Sequence, residues 1–141
     1  MTVRAILSGK GSDVTSIAPG ATVADAVKLL ATHRIGAVPV TDAMGVIGIF
    51  SERDVIYCLA SKGAAALEKK VADVMTSPAL TVETDAPVMS ALSMMSRRRI
   101  RHLPVVEEGS MVGFVSIGDL VKYRIDKIEA EAAALRDYIA S

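Results

Sequence analysis

Apolar and polar positions along the chain repeat one series of elements twice. Residues 3–7 read as a short helical lead-in, broken by Gly9-Lys10-Gly11-Ser12-Asp13. Residues 14–17 form a short extended piece that Pro19-Gly20 ends. Val23, Ala26, Val27, Leu29 and Leu30 then fall at helical spacing behind Thr22, a residue suited to cap a helix. This helix is expected to stop near His33-Arg34, where cations suit its carbonyl end. Residues 37–40 and 46–50 are short and rich in β-branched side chains, and Asp42-Ala43-Met44-Gly45 between them reads as a turn. Together they predict a β-hairpin. Pro39 lacks an N–H and is expected at a strand start or on an edge. Ser51 caps a second helix, running from Glu52 to about Ala60.

The second series has its lead-in at residues 71–75, broken by Ser77-Pro78, and an extended piece at 80–82. Thr84 or Asp85 is expected to cap a helix over Val88, Ala91, Leu92, Met94 and Met95. A hairpin of residues 102–106 with 111–115 follows, and Ser116 caps the closing helix. Each series reads β-α-β-β-α. The two stand at a constant offset of 65 residues without a gap, pairing Ile35 with Ile100, Pro39 with Pro104, Gly48 with Gly113, Ser51 with Ser116 and Asp54 with Asp119. A match in fixed register over this length is a duplication. One copy is too short to bury a good core, so the copies are expected to pack on each other. The boundaries read from the sequence are repeat 1 at 1–62, a linker at 63–70, repeat 2 at 71–125 and a helical extension at 126–141.

That extension continues the closing helix, because no Gly or Pro interrupts the chain after Gly118. Val121, Ile125, Ile128, Ala132, Leu135 and Ile139 alternate spacings of 4 and 3, a two-stranded packing seam. Such a seam needs a partner surface, expected here on a second subunit rather than on the chain's own back.

Composition narrows the function classes. The chain has 141 residues, one domain's worth, and 51% hydrophobic content allows a sizeable core. A formal net charge of zero gives no sign of nucleic acid or an anionic membrane as partner. No stretch has the apolar length that a bilayer requires. The single cysteine, Cys58, cannot form an internal disulfide, which fits a reducing compartment; with no secretory leader legible, the cytoplasm is the expected location. Cys58 itself reads as a small buried hydrophobe. Motifs for zinc hydrolysis, a nucleophile elbow or a phosphate-binding loop are not found, and two histidines without a cysteine cluster make no metal site.

The duplicated hairpin followed by Gly-x-x-Ser-x-x-Asp closely resembles the cystathionine β-synthase (CBS) domain. The residues that carry the resemblance are Ile35-Gly-Ala-Val-Pro-Val with Gly48-Ile-Phe-Ser-Glu-Arg-Asp54, and Ile100-Arg-His-Leu-Pro-Val with Gly113-Phe-Val-Ser-Ile-Gly-Asp119. Residues 71–76, Val-Ala-Asp-Val-Met-Thr, resemble the family's usual opening. The resemblance covers almost all of residues 1–125. It implies an α+β fold in which two repeats pack with pseudo-twofold symmetry through their hairpins. It also implies two clefts between the repeats that bind adenosine-containing ligands: AMP first, with ATP, ADP, NAD(H) or S-adenosylmethionine as others. Association into a homodimer is implied as well, with no cofactor required and an unnamed regulated protein as further partner.

The residue chemistry agrees. One carboxylate can accept from both hydroxyls of a ribose, and the family places such an Asp where Asp54 and Asp119 stand. Ser51 and Ser116, at helix starts, are suited to hold phosphate oxygens. The bland account makes both Ser helix caps and both Asp partners of the helix dipole. Arg101 and His102 precede the second hairpin, where family members that bind phosphorylated ligands often carry basic residues; the first copy has Gly36 and Ala37 there. The cleft ending in Asp119 is therefore the expected mononucleotide site. The cleft ending in Asp54 is expected to be empty, or to depend on Arg53 or a neighbouring subunit. Arg97 and Arg98 read as a solvated helix end, and Arg99, matching Arg34, as a structural residue shared by both copies. The expected function is a non-catalytic nucleotide-sensing module, with a scaffold whose clefts stay empty, or an enzyme, as alternatives.

Overall fold

A computed structural model of the chain, describing residues 1–11 and 13–141, has the α+β architecture expected from the repeat. In chain order it comprises α1 (Val3–Lys10), α2 (Val23–His33), β1 (Ala37–Asp42), β2 (Gly45–Ser51), α3 (Glu52–Lys62) and a 3-10 turn (Gly63–Glu68). The second half comprises α4 (Val71–Val74), β3 (Val82–Glu83), α5 (Val88–Arg98), β4 (His102–Glu107), β5 (Ser110–Ser116) and α6 (Ile117–Ala140). β1 and β2 form one antiparallel hairpin, β4 and β5 the other. A short parallel partner flanks each hairpin at matching positions: Ile17 bridges Val40, and Val82 pairs with Val105. Pro39 lies inside β1 as its third residue, not at its start. Its carbonyl accepts from the Ile17 N–H at 3.1 Å. Having no N–H of its own, it gives a longer third strand nothing further to bind on that side.

The two cores are built from matched positions. Val23, Ala26, Leu30, Val38, Val40 and Phe50 fill the first; Val88, Ala91, Met95, Leu103, Val105 and Val115 fill the second. The backbone repeats as closely. Arg34 and Arg99, each just after a helix, both adopt a left-handed conformation with φ of 53°. This is the shared structural role expected of the pair, since a left-handed residue ends a helix by turning its amide back onto the last carbonyls.

The lead-ins are exchanged. Val3 and Ile6 of α1 are buried in the second core, whereas Val71 of α4 is buried in the first. Main-chain bonds fix the exchange: the Val3 N–H donates to the Ala86 carbonyl at 2.9 Å, and the Val71 N–H to the Ala21 carbonyl at 2.8 Å. Two glycines admit the exchanged segments. A Cβ on Gly48 would stand 2.6 Å from Met75 Sδ and 2.8 Å from the Thr76 carbonyl; one on Gly113 would stand 2.5 Å from a Leu7 methyl.

The exchange also accounts for a cap that differs from expectation. Neither Thr84 nor Asp85 caps α5, which starts after Pro87 with no side-chain cap. Thr84 is instead buried, accepting from Arg4 Nη2 at 2.9 Å and donating to Glu107 Oε1 at 3.1 Å. Arg4 pairs with Glu107 as well, so the side chain expected at a helix end clips α1 to its adopted repeat. Pro87, with φ of −63°, starts the helix without needing an N–H. In the first copy Thr22 keeps its cap, accepting from the Asp25 N–H at 3.1 Å.

α6 leaves the second core after Leu120 and Tyr123 and runs on to Ala140. Its seam faces solvent in the single chain: Ile125 is 49% exposed, Leu135 59% and Ile139 74%. Among the described residues, the chain's own back does not cover it.

The close approach at Gly48 gives a test with opposite signs at two glycines. Gly48→Ala forces Met75 and the Thr76 backbone aside and is expected to cost about 1–3 kcal/mol, as overpacking does. Gly9→Ala, in α1 with open space around its Cβ, is expected to stabilise by about 0.5–1 kcal/mol through helix propensity. Urea denaturation midpoints read both.

Candidate nucleotide clefts

Each hairpin delivers its last strand residue, Ser51 or Ser116, directly into a helix start, and an Asp follows three residues later. The pairs Ser51–Asp54 and Ser116–Asp119 therefore stand alike. The Asp54 carboxylate accepts from the Ser51 N–H at 2.9 Å and the Ser51 hydroxyl at 3.3 Å. The Asp119 carboxylate accepts from the Ser116 N–H at 2.8 Å, and the Ser116 hydroxyl accepts from the Asp119 N–H at 3.1 Å.

Two clefts open beside these carboxylates. The first, of about 260 Å³, runs from Ser51, Arg53 and Asp54 across to Arg99, Ile100, Arg101 and His102, with Ile49, Pro78 and Leu80 as apolar wall. The second, of about 410 Å³, holds Ser116, Asp119, Phe114 and His102 against Ile35, Gly36 and Lys10. Thus Arg101 does not join Asp119, as the sequence led us to expect; it lines the Asp54 cleft. His102 lines both. The reason is topological. Each pre-strand segment is tied by its backbone to its own repeat, the Arg101 carbonyl accepting from the Ile117 N–H at 2.8 Å and the Gly36 carbonyl from the Glu52 N–H at 2.9 Å. Packing about the pseudo-twofold then sets these residues against the other repeat's helix start. The Asp54 cleft consequently gathers Arg53, Arg99 and Arg101, with Arg53 Nη1 donating to the Arg99 carbonyl at 3.1 Å across the repeats.

Sequence reasoning missed two contributors, both supplied by the exchanged lead-ins. Thr76 donates to Asp54 Oδ1 at 3.3 Å. Lys10 places its ammonium 2.6 Å from Asp119 Oδ2 and donates to the Phe114 carbonyl at 2.8 Å. The repeat offset pairs Lys10 with Met75 and Gly11 with Thr76, so the signal was available. That signal becomes readable only once the lead-ins are seen to be exchanged between the copies.

These partners set the two carboxyls apart. Burial pushes Asp54 above the ordinary aspartate value, and the bonds from Ser51 and Thr76 with the nearby Arg53 charge only partly offset it. At Asp119 burial pushes the same way, but the Lys10 ammonium and the Ser116 N–H outweigh it and hold the carboxyl below the ordinary value. Burial lowers His102, with the Lys10 charge adding to it, and the ring stacks on Phe114 with centroids 5.5 Å apart.

Carboxyl carbon NMR titration is expected to show Asp54 titrating above the ordinary aspartate value and Asp119 below it. Lys10→Met moves Asp119 up and leaves Asp54 in place. Asp119, depressed in the folded state, stabilises the fold above the ordinary carboxylate range, and this is lost as pH falls through its folded pKa. Asp54 has the opposite sign: its cost to the fold is relieved as pH falls through its raised value.

Comparison with known proteins agrees with this fold. The CBS domain family model matches residues 3–61 and 71–126. A mitochondrial CBS domain-containing protein of Arabidopsis thaliana is 36% identical over 123 residues; the match covers 84% of this chain and 60% of that protein's length. The crystal structure of a CBS-domain containing protein from Agrobacterium tumefaciens superposes with a TM-score of 0.85 at 39% identity, covering 88% of this chain and 99% of that one. A CBS domain protein from Pyrobaculum aerophilum complexed with AMP superposes at 0.74 with 28% identity, covering 84% and 89%. With two matched segments and the structures of CBS proteins as neighbours, the chain belongs to the CBS domain family and carries a tandem pair of its repeats.

Proposed function

We propose that the protein is a non-catalytic sensor of adenine nucleotides and that AMP binds first in the Asp54 cleft. One observation carries this reading: Arg53, Arg99 and Arg101 gather in the cleft that also holds Asp54. Asp54 takes the ribose hydroxyls. The arginines take the phosphate at the start of α3, where the helix end favours an anion and three guanidinium groups outnumber the Glu52 and Asp54 carboxylates of the lining. Ile49, Pro78, Leu80 and Ile100 offer the base an apolar wall. The AMP complex of the Pyrobaculum protein supports the ligand class. Cys58 as sole cysteine supports a reducing, cytoplasmic setting. Ser116 and Asp119 belong to the second cleft, whose ligand rule is inferred below, and His102 lines both.

Asp54→Ala removes hydrogen bonds to a charged group, each worth about 1.5–3 kcal/mol, so calorimetry is expected to show AMP affinity falling about tenfold or more. Unchanged affinity overturns the assignment.

The same reading makes the protein a homodimer, with α6 contributing. The seam of Ile125, Ile128, Leu135 and Ile139 is exposed in the single chain and has the alternating spacing of two-stranded packing. Ile56 on α3 and Val121 on α6, matched by the repeat, add exposed apolar surface on the equivalent repeat helices. Deleting residues 126–141 is expected to make the dimer dissociate at a concentration where the full chain stays dimeric, as light scattering over a dilution series reads. Identical behaviour of the two proteins removes the tail from the interface.

A further inference from the structure

Resting on the reading of both clefts as adenosine sites, we infer that Lys10 is the specificity-determining residue of the Asp119 cleft, which admits an adenosine only when it carries an anionic group to take over the Lys10 ammonium. In the unliganded chain that ammonium occupies the ribose-binding carboxylate, 2.6 Å from Asp119 Oδ2. It is held there by more than a flexible side chain. Lys10 ends α1, whose Val3 and Ile6 are buried in the second core and whose Leu7 seats against Gly113. The ammonium also donates to the Phe114 carbonyl at 2.8 Å, on the strand that leads into Ser116.

A ribose reaching Asp119 replaces a charge-assisted bond with neutral ones. With plain adenosine, Lys10 is left with only the Phe114 carbonyl, and the exchange is unfavourable. A phosphate reverses the balance, because the displaced ammonium gains a doubly charged acceptor at the same time as Asp119 gains the hydroxyls. Among the described residues that line this cleft, Lys10 is the only lysine or arginine, and Asp13 adds negative charge that an unassisted phosphate would meet. The Asp54 cleft carries no equivalent device. The residue matched to Lys10 is the uncharged Met75, and the neighbouring Thr76 gives Asp54 only a 3.3 Å hydroxyl contact. The two clefts therefore differ in rule: the first accepts a ribose directly, the second asks for the charge before it releases the carboxylate.

The test isolates the second cleft with Asp54→Ala and compares AMP with adenosine by calorimetry. AMP is expected to bind about tenfold or more tightly than adenosine, the size of one hydrogen bond to a charged group. Adding Lys10→Met, the side chain found at the matched position, is expected to tighten adenosine, weaken AMP and bring the ratio to about one. Lys10→Arg is expected to keep the preference. Lys10→Gln carries the same comparison should the Met variant not fold. An unchanged AMP-to-adenosine ratio without Lys10 overturns the inference, as does absence of binding of both compounds with and without Lys10. Failure of the Asp54 assignment shows separately, as wild-type AMP affinity that Asp54→Ala leaves untouched.

Discussion

The exchange of lead-in segments is the constraint on which the rest of this structure depends. Without α1 the second core lacks Val3 and Ile6; without α4 the first lacks Val71. Neither repeat is a finished hydrophobic unit, because a unit of this size buries too little surface to tolerate the loss of even one fully enclosed side chain, Val3 or Val71. The exchange therefore ties the repeats into one cooperative body. Gly48 and Gly113 are its price in sequence, since each leaves bare backbone where the incoming segment lies against β2 or β5. The same crossing carries Lys10 and Thr76 into the clefts, so the element that completes each core also sets the partners of each cleft carboxylate.

Much of the fold was legible because its determinants are local. The hairpins follow from two β-branched runs around a turn, and the matched cores follow from apolar residues in fixed register. The role of Arg99 followed from Arg34, and both residues adopt the same left-handed turn. What was not legible depends on tertiary crossing. Arg101 stands before the hairpin of the same copy as Asp119, where the resemblance places basic residues, and that suggested a shared cleft. In the fold its backbone stays with its own repeat while its side chain lines the other repeat's cleft. Thr84 shows the same effect on a smaller scale. Its chemistry suits a helix cap, but the half-exposed Arg4 and Glu107 engage its buried hydroxyl instead, and α5 starts after Pro87 without it.

The duplication kept one backbone and let the charges diverge. Ser51–Asp54 and Ser116–Asp119 share their main-chain geometry, yet one carboxyl is pushed up by burial and the other held down by Lys10. Divergence of this kind places unlike electrostatics on a common frame, which is how equal folds acquire unequal sites. His102 stands between the two environments. It lines both clefts, stacks on Phe114, and is kept toward its neutral form by burial and by Lys10. A neutral ring there adds shape and hydrogen-bonding capacity without adding to the charge of either cleft.

The capping account of Asp54 and Asp119 and the ligand account of the same residues are compatible, and the atoms show why. A carboxylate has two oxygens and about four lone-pair directions. At each site the cap is made through one oxygen: Oδ2 of Asp54 takes the Ser51 N–H, and Oδ2 of Asp119 takes the Ser116 N–H. That bond holds one oxygen and leaves the other outside the cap, so capping does not consume the carboxylate. The difference between the clefts lies in what meets the remaining lone pairs. At Asp54 it is a hydroxyl from Thr76 at 3.3 Å, a neutral contact of the same kind that a ribose would supply. At Asp119 it is an ammonium at 2.6 Å on Oδ2, the oxygen that also takes the Ser116 N–H, so a diol that is to use both oxygens would have to displace a charged partner it cannot match in strength. A helix cap, repeated by duplication, thus presents two carboxylates of different electrostatic character according to which lead-in residue reaches it.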